Sequence, residues 1–153
     1  MSLPRVPTDR GTARRLTARV LYGGSLVTAE RTSDSWFHYV LELPRPLRAG
    51  ERHEYAMSFQ VPANQPMRTH YVYTPPYRCD RFDLRIRFGH QDFPTRVWRV
   101  TEAFMRTVDD GQPTDDLLVP DDAGEVSLRF HDLQPGFGYG VQWTPPSGAN
   151  CTG

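Results

Sequence analysis

Lysine is absent from this chain: all eighteen of its basic residues are arginine. Arginine pairs bidentately with carboxylates and phosphates and stacks on aromatic rings, so one reading is a surface selected for such contacts. The favoured reading is a GC-rich coding sequence, and the single isoleucine, Ile86, agrees with it. Neither sign of charge is in excess, because eighteen acids balance the arginines to a net charge of zero. A protein whose principal partner is nucleic acid carries a clear basic surplus, so direct nucleic-acid binding is not expected. Cysteine is nearly absent too. Cys79 and Cys151 are too few for a disulfide framework. No apolar run has the length of a membrane span, and the N-terminus lacks the apolar core of a secretory signal. The expected location is the cytoplasm, with both thiols reduced.

The sequence is equally poor in the motifs of catalysis. His38, His53, His70, His90 and His131 share no local metal-ligand spacing. Scattered surface and edge histidines are the expected reading, with convergence across strands as the alternative. There is no G-x-S-x-G elbow around a nucleophilic serine. Cys79 follows Arg78, which could depress a thiol pKa, but a half-buried cysteine at the start of a strand is the expectation. Asp109, Asp110, Asp115, Asp116, Asp121, Asp122 and Glu125 make residues 109–125 wholly acidic among the charged types. They lack the D-x-D-x-D-G rhythm of a calcium loop, so a solvated connection is expected. No catalytic residue, metal ligand or cofactor is assigned, and the chain is not expected to be an enzyme.

What the chain does have is β-pattern and punctuation. Fourteen prolines and twelve glycines break 153 residues into short segments, with 38% apolar and 12% aromatic residues. A chain of this length fits one domain and buries roughly 70% of its unfolded surface without a staple. Phe82, Leu84, Ile86 and Phe88 alternate with Arg81, Asp83, Arg85 and Arg87, as period-2 strands require. Trp36 to Leu43, the set Tyr55, Met57, Phe59 and Val61, Arg68 to Thr74, and Val97 to Val100 read as further strands. Gly23-Gly24 between two β-prone runs predicts a hairpin within 16–28. Leu117-Leu118-Val119 is a candidate short edge strand, and Thr101 to Val108 the one candidate helical turn.

The most informative stretch is Glu125 to Trp143. Val126, Leu128 and Phe130 share one face; Phe137, Tyr139, Val141 and Trp143 share another. A Leu133-Gln134-Pro135-Gly136 corner joins them, with Tyr139 three residues past the glycine. This pattern resembles the tyrosine corner of immunoglobulin- and fibronectin-like domains, where the hydroxyl bonds back to the backbone. Gly136, Gly138 and Gly140 read as sites of close backbone packing or a bulge, not as an anion cradle. The expected fold is all-β, an immunoglobulin/fibronectin-like β-sandwich of about eight to nine antiparallel strands. Residues 1–15 form a flexible basic tail, 16–143 the sandwich domain and 144–153 a flexible C-terminal tail.

The strongest candidate binding surface is Arg68, His70, Tyr71, Tyr73, Tyr77 and Arg78, aromatic residues between two arginines. Tyrosine and arginine are enriched at interface hot spots, since they combine contact area with a polar handle. The alternative is an inward aromatic row with ordinary exposed tyrosines. The outward row Arg81, Asp83, Arg85 and Arg87 is a second candidate, for an anion or acidic partner, against a plain solvated face.

Several blocks, in order, extend this reading. Leu41 to Tyr55, Pro66 to Tyr71, Arg78 to Phe88 and Gly136 to Trp143 resemble the C-terminal domain of helix-turn-helix regulators of the XRE type from high-GC Gram-positive bacteria. The resemblance covers about residues 16–143, with gaps. It implies a non-enzymatic effector or sensor module with a protein partner or a small-molecule ligand. It offers no catalytic residues. Residues 1–15 are too few for a helix-turn-helix, which needs roughly 50 residues. The expectation is a stand-alone or truncated relative, and DNA binding is not carried over. A homo-oligomer formed through an uncovered edge strand is the alternative function.

Overall fold

The computed structural model describes residues 16–33, 36–62, 68–90 and 93–145. The class is all-β: ten antiparallel strands and one short helix among the described residues. The chain forms two compact units, Met1–Met67 and Arg68–Gly153. The expected 16–143 domain spans parts of both. The tails expected at 1–15 and over most of 144–153 lie outside the described residues, as do Pro66 and Cys151.

The first unit holds β1 (Thr17–Tyr22), β2 (Ser25–Ser33), β3 (Trp36–Glu42) and β4 (Ala56–Gln60). The hairpin expected at Gly23-Gly24 does not form. β1 pairs with β4, and β2 pairs with β3. The reason lies in the segment ahead of β4. His53 Nε2 meets the Gly23 carbonyl, and Tyr22 donates its hydroxyl to Glu54. Residues 53–55 thus occupy the turn, and β4 takes the pairing edge of β1. Tyr39 of β3 is buried and packs against Phe59 of β4 with ring centroids 5.9 Å apart.

The second unit holds β5 (His70–Tyr73), β6 (Cys79–Arg87), β7 (Val97–Ala103), α1 (Met105–Asp109), β8 (Leu117–Leu118), β9 (Glu125–Leu133) and β10 (Gly138–Trp143). Two hydrogen-bonded layers result. One is a four-stranded sheet in the order β5-β10-β7-β8, and the other is the ribbon β6-β9. The β6 and β9 alternations put Phe82 opposite Phe130, Leu84 opposite Leu128 and Ile86 opposite Val126. That apolar face packs against Val97, Tyr139 and Val141 of the sheet, with Leu133 fully enclosed. Each such side chain contributes about 1.5–3 kcal/mol of burial.

The corner between β9 and β10 is closed by Tyr139. Its hydroxyl accepts the Gln134 backbone N–H at 2.8 Å, and its ring meets Phe130 edge-on at 5.7 Å. The outer face of the four-stranded sheet carries a smaller core of Val72, Trp98 and Val100, covered by Val108 of α1. α1 lies where the helical turn was expected, and β8 where the edge segment was. β7 reaches α1 through a register shift opposite Gly138–Gly140, with Glu102 in the left-handed region at φ 50°. Two residues of β7 there face one of β10, the signature of a bulge.

Candidate binding surface

The four expected strand residues do not share one surface. Tyr71 and Tyr73 lie on the inner face of β5, directly across from Val141 and Tyr139. Both pack against the main core, and Tyr73 meets Phe82 at 4.9 Å. They form the inward aromatic row. His70 pairs with Gln142 and lies half-buried on the opposite side of the strand from Tyr71. Its pKa is lowered, first by burial and then by the Arg68 guanidinium, against a smaller opposing effect of Asp109. Arg68 is ion-paired to Asp109 at the end of α1.

His70, Gln142 and Trp98 form one cross-strand row on β5, β10 and β7. Gln142 is a buried polar residue whose amide donates to the Val108 carbonyl at 2.7 Å, which ties α1 to the sheet. Among the described residues, His70 Nε2 and Trp98 Nε1 are buried polar atoms without a hydrogen-bond partner. Beside this row a cleft of about 60 Å³ opens under α1, lined by Trp98, Thr101, Thr107, Gln112, Thr114 and Gln142. It is uncharged and of the size of a few waters.

Tyr77 and Arg78 sit elsewhere. They belong to the β5–β6 connection, with Tyr77 80% exposed and Arg78 in an exposed ion pair to Asp80 at 3.5 Å. That connection abuts the tyrosine corner, because the Gly136 N–H donates to the Pro75 carbonyl. The residue after Gly136, Phe137, packs at 5.1 Å against Phe104, which is 65% exposed at the start of α1. Three connections therefore converge at one end of the second unit, presenting Tyr77, Arg78, Phe104 and Phe137. Sequence reasoning missed Phe104 and assigned Phe137 to the core face, against which it does pack, half-buried. The bulge in β7 that precedes Phe104 leaves no trace in the alternation pattern.

The remaining candidates are accounted for locally. The Cys79 thiol donates to the Arg81 carbonyl, and its pKa is raised, chiefly by burial, so it is not a depressed nucleophilic thiol. The outward row of β6 is ion-paired: Asp83 joins Arg81 and Arg129, and Glu125 joins Arg85 and Arg87. Arginine contacts hold Asp83 below the usual carboxylate range. The acidic connection is pinned rather than loose. β8 pairs with β7, Thr114 donates to the Arg99 carbonyl, and Asp121 accepts the N–H groups of Ala123 and Glu125. Among the described residues, no cluster of three or more His, Cys, Asp or Glu side chains could hold a metal ion, and no helix is long and apolar enough to cross a membrane. Comparison with protein-family models, with curated proteins and with solved structures returns no match.

Proposed function

We propose that this chain is a non-catalytic binding module of immunoglobulin-like type, working in a bacterial cytoplasm and docking a protein partner linked to transcriptional regulation. The observation that carries the reading is the loop end at which Tyr77, Arg78, Phe104 and Phe137 converge. Solvent-exposed aromatic rings beside an arginine are the side chains that dominate interface energetics. They stand on connections tied to the Tyr139 corner, so little ordering cost accompanies docking. An open rim of this kind fits a protein surface; an enclosing pocket would be needed to bury most of a small ligand. The regulatory link rests on the sequence resemblance alone.

The test is capture of partners from the native lysate by the tagged wild-type chain and by the double variant Tyr77→Ala/Phe104→Ala. Both side chains are exposed, and Phe104→Ala gives up the ring contact with Phe137, so the variant should lose no more than about 1.5 kcal/mol. A stoichiometric protein recovered by the wild type and lost with the variant is the expected result. Equal recovery by both, or no specific protein from either, would overturn the assignment. Tyr73→Ala serves as the contrast, because truncating a core-packed ring costs about 3–5 kcal/mol.

A further inference from the structure

The two edges of the β6–β9 ribbon are finished differently. Phe88 N–H donates to the Gly124 carbonyl at 3.0 Å, in the register that places Ile86 opposite Val126 and Leu84 opposite Leu128. In an antiparallel ladder, facing residues alternate between exchanging hydrogen bonds and not. The even-numbered residues of β6 therefore bond to β9, and the backbone groups of Asp83, Arg85 and Arg87 point to the outer edge. On β9 the outward groups are those of Glu125, Ser127 and Arg129.

The β9 edge is capped at three of these groups. The Glu125 N–H donates to Asp121 Oδ1, its carbonyl accepts the Asp121 N–H, and the Arg129 carbonyl accepts Arg99 Nη2 at 2.9 Å. On β6, among the described residues, no hydrogen bond occupies the outward backbone groups of Asp83, Arg85 or Arg87. Natural edges are blunted by proline, bulges or coverage. From Arg81 to Arg87 there is no proline and no register shift. Charge remains as a guard, but here it alternates: Asp83 sits between Arg81 and Arg85 on the solvent face.

We propose that β6 pairs edge to edge with β6 of a second copy of this chain, antiparallel, about a two-fold axis at Leu84. That register matches outward backbone groups with outward backbone groups. It sets Asp83 of each copy opposite Arg85 of the other. On the inner face it sets Phe82 opposite Ile86 and Leu84 opposite Leu84, so the apolar face of one ribbon continues into the next. Arg81 faces Arg87, and each already has its own carboxylate, Asp83 and Glu125 respectively. The interface is isologous and closed, so a dimer forms and not a fibre. This inference stands independently of the loop-end partner proposed above.

The experiment is sedimentation equilibrium of the full chain over a wide concentration range, with three variants. The wild type should be a dimer in reversible equilibrium. Arg85→Pro removes an outward N–H without touching the β6–β9 ladder, so the monomer should fold and the dissociation constant should rise by at least about tenfold. Asp83→Arg should weaken the dimer similarly, and the swap Asp83→Arg/Arg85→Asp should restore it, since the unlike pair is re-formed with its signs exchanged. A wild type that stays monomeric, a dimer that survives Arg85→Pro, or a swap that fails to restore what Asp83→Arg lost would each overturn the proposal. The swap also decides the question should Arg85→Pro not fold.

Discussion

Replacing Tyr139 with phenylalanine isolates the one hydrogen bond that closes the β9–β10 corner. Tyr139 is 2% exposed, and its ring packs against Phe130, contacts that phenylalanine keeps. What disappears is the acceptor 2.8 Å from the Gln134 N–H. A backbone donor left without a partner costs about 1–3 kcal/mol when buried. This donor is only part-buried, so water can replace some of the loss, and about 1–2 kcal/mol is expected. For a cooperative unit of this size each kcal/mol lowers the melting temperature by about 4–8 °C. Urea denaturation of wild type and Tyr139→Phe, followed by circular dichroism, measures the difference directly. Tyr139→Ala is the reference for losing the ring as well, at about 3–5 kcal/mol. A Phe variant within about 0.3 kcal/mol of wild type would refute the corner as a stabilising device and leave only ring packing.

Further outcomes follow from the same contacts. A Cβ at Gly140 would stand 2.0 Å from the Tyr71 carbonyl oxygen, so Gly140→Ala must push β5 from β10 and should cost about 3 kcal/mol or more. At Gly136 nothing lies within 4 Å and only the left-handed φ of 86° resists a side chain, so Gly136→Ala should cost about 1 kcal/mol. Equal losses in denaturant midpoint would contradict the close-packing reading. His70 has a folded pKa below its ordinary value of 6.5, so the native state prefers the neutral ring. Its contribution is fully present above the unfolded pKa and is lost as pH falls from there through the lowered folded value. Stability should decline on acidification below about pH 6.5, His70→Phe should flatten that decline, and Asp109→Asn should steepen it by removing the carboxylate that opposes the shift. A pH profile of the denaturant midpoint unchanged by either variant would show that His70 is not the group responsible.

Much of the fold is legible in the amino-acid sequence, and for one physical reason: alternation is a local property of the backbone. Phe82, Leu84 and Ile86 face inward because successive strand residues point to opposite sides, whatever the strand pairs with. The corner is equally readable, because Tyr139 reaches a backbone group only five residues away. The glycines of β10 announce close packing, and the neighbours of Gly138 and Gly140 supply it. Alternation states that a strand has two faces, however, and not which one meets a core. Tyr71 and Tyr73 therefore read as a binding row, whereas β5 lies beside β10 with both rings turned to Phe82 and its neighbours.

Pairing partners are the part that sequence leaves open. A Gly-Gly between β-prone runs favours a hairpin locally, yet β1 pairs with β4, because residues 53–55 return to the turn from about thirty residues away. The convergence of Tyr77, Phe104 and Phe137 depends on three connections that only long-range packing brings to one end. The sequence by itself determined the class, the division of each strand into two faces, and the corner, because each rests on neighbours along the chain. Tertiary structure alone decided which strands are neighbours, which edge stays open and which aromatic rings reach solvent, because those depend on contacts between segments far apart in sequence.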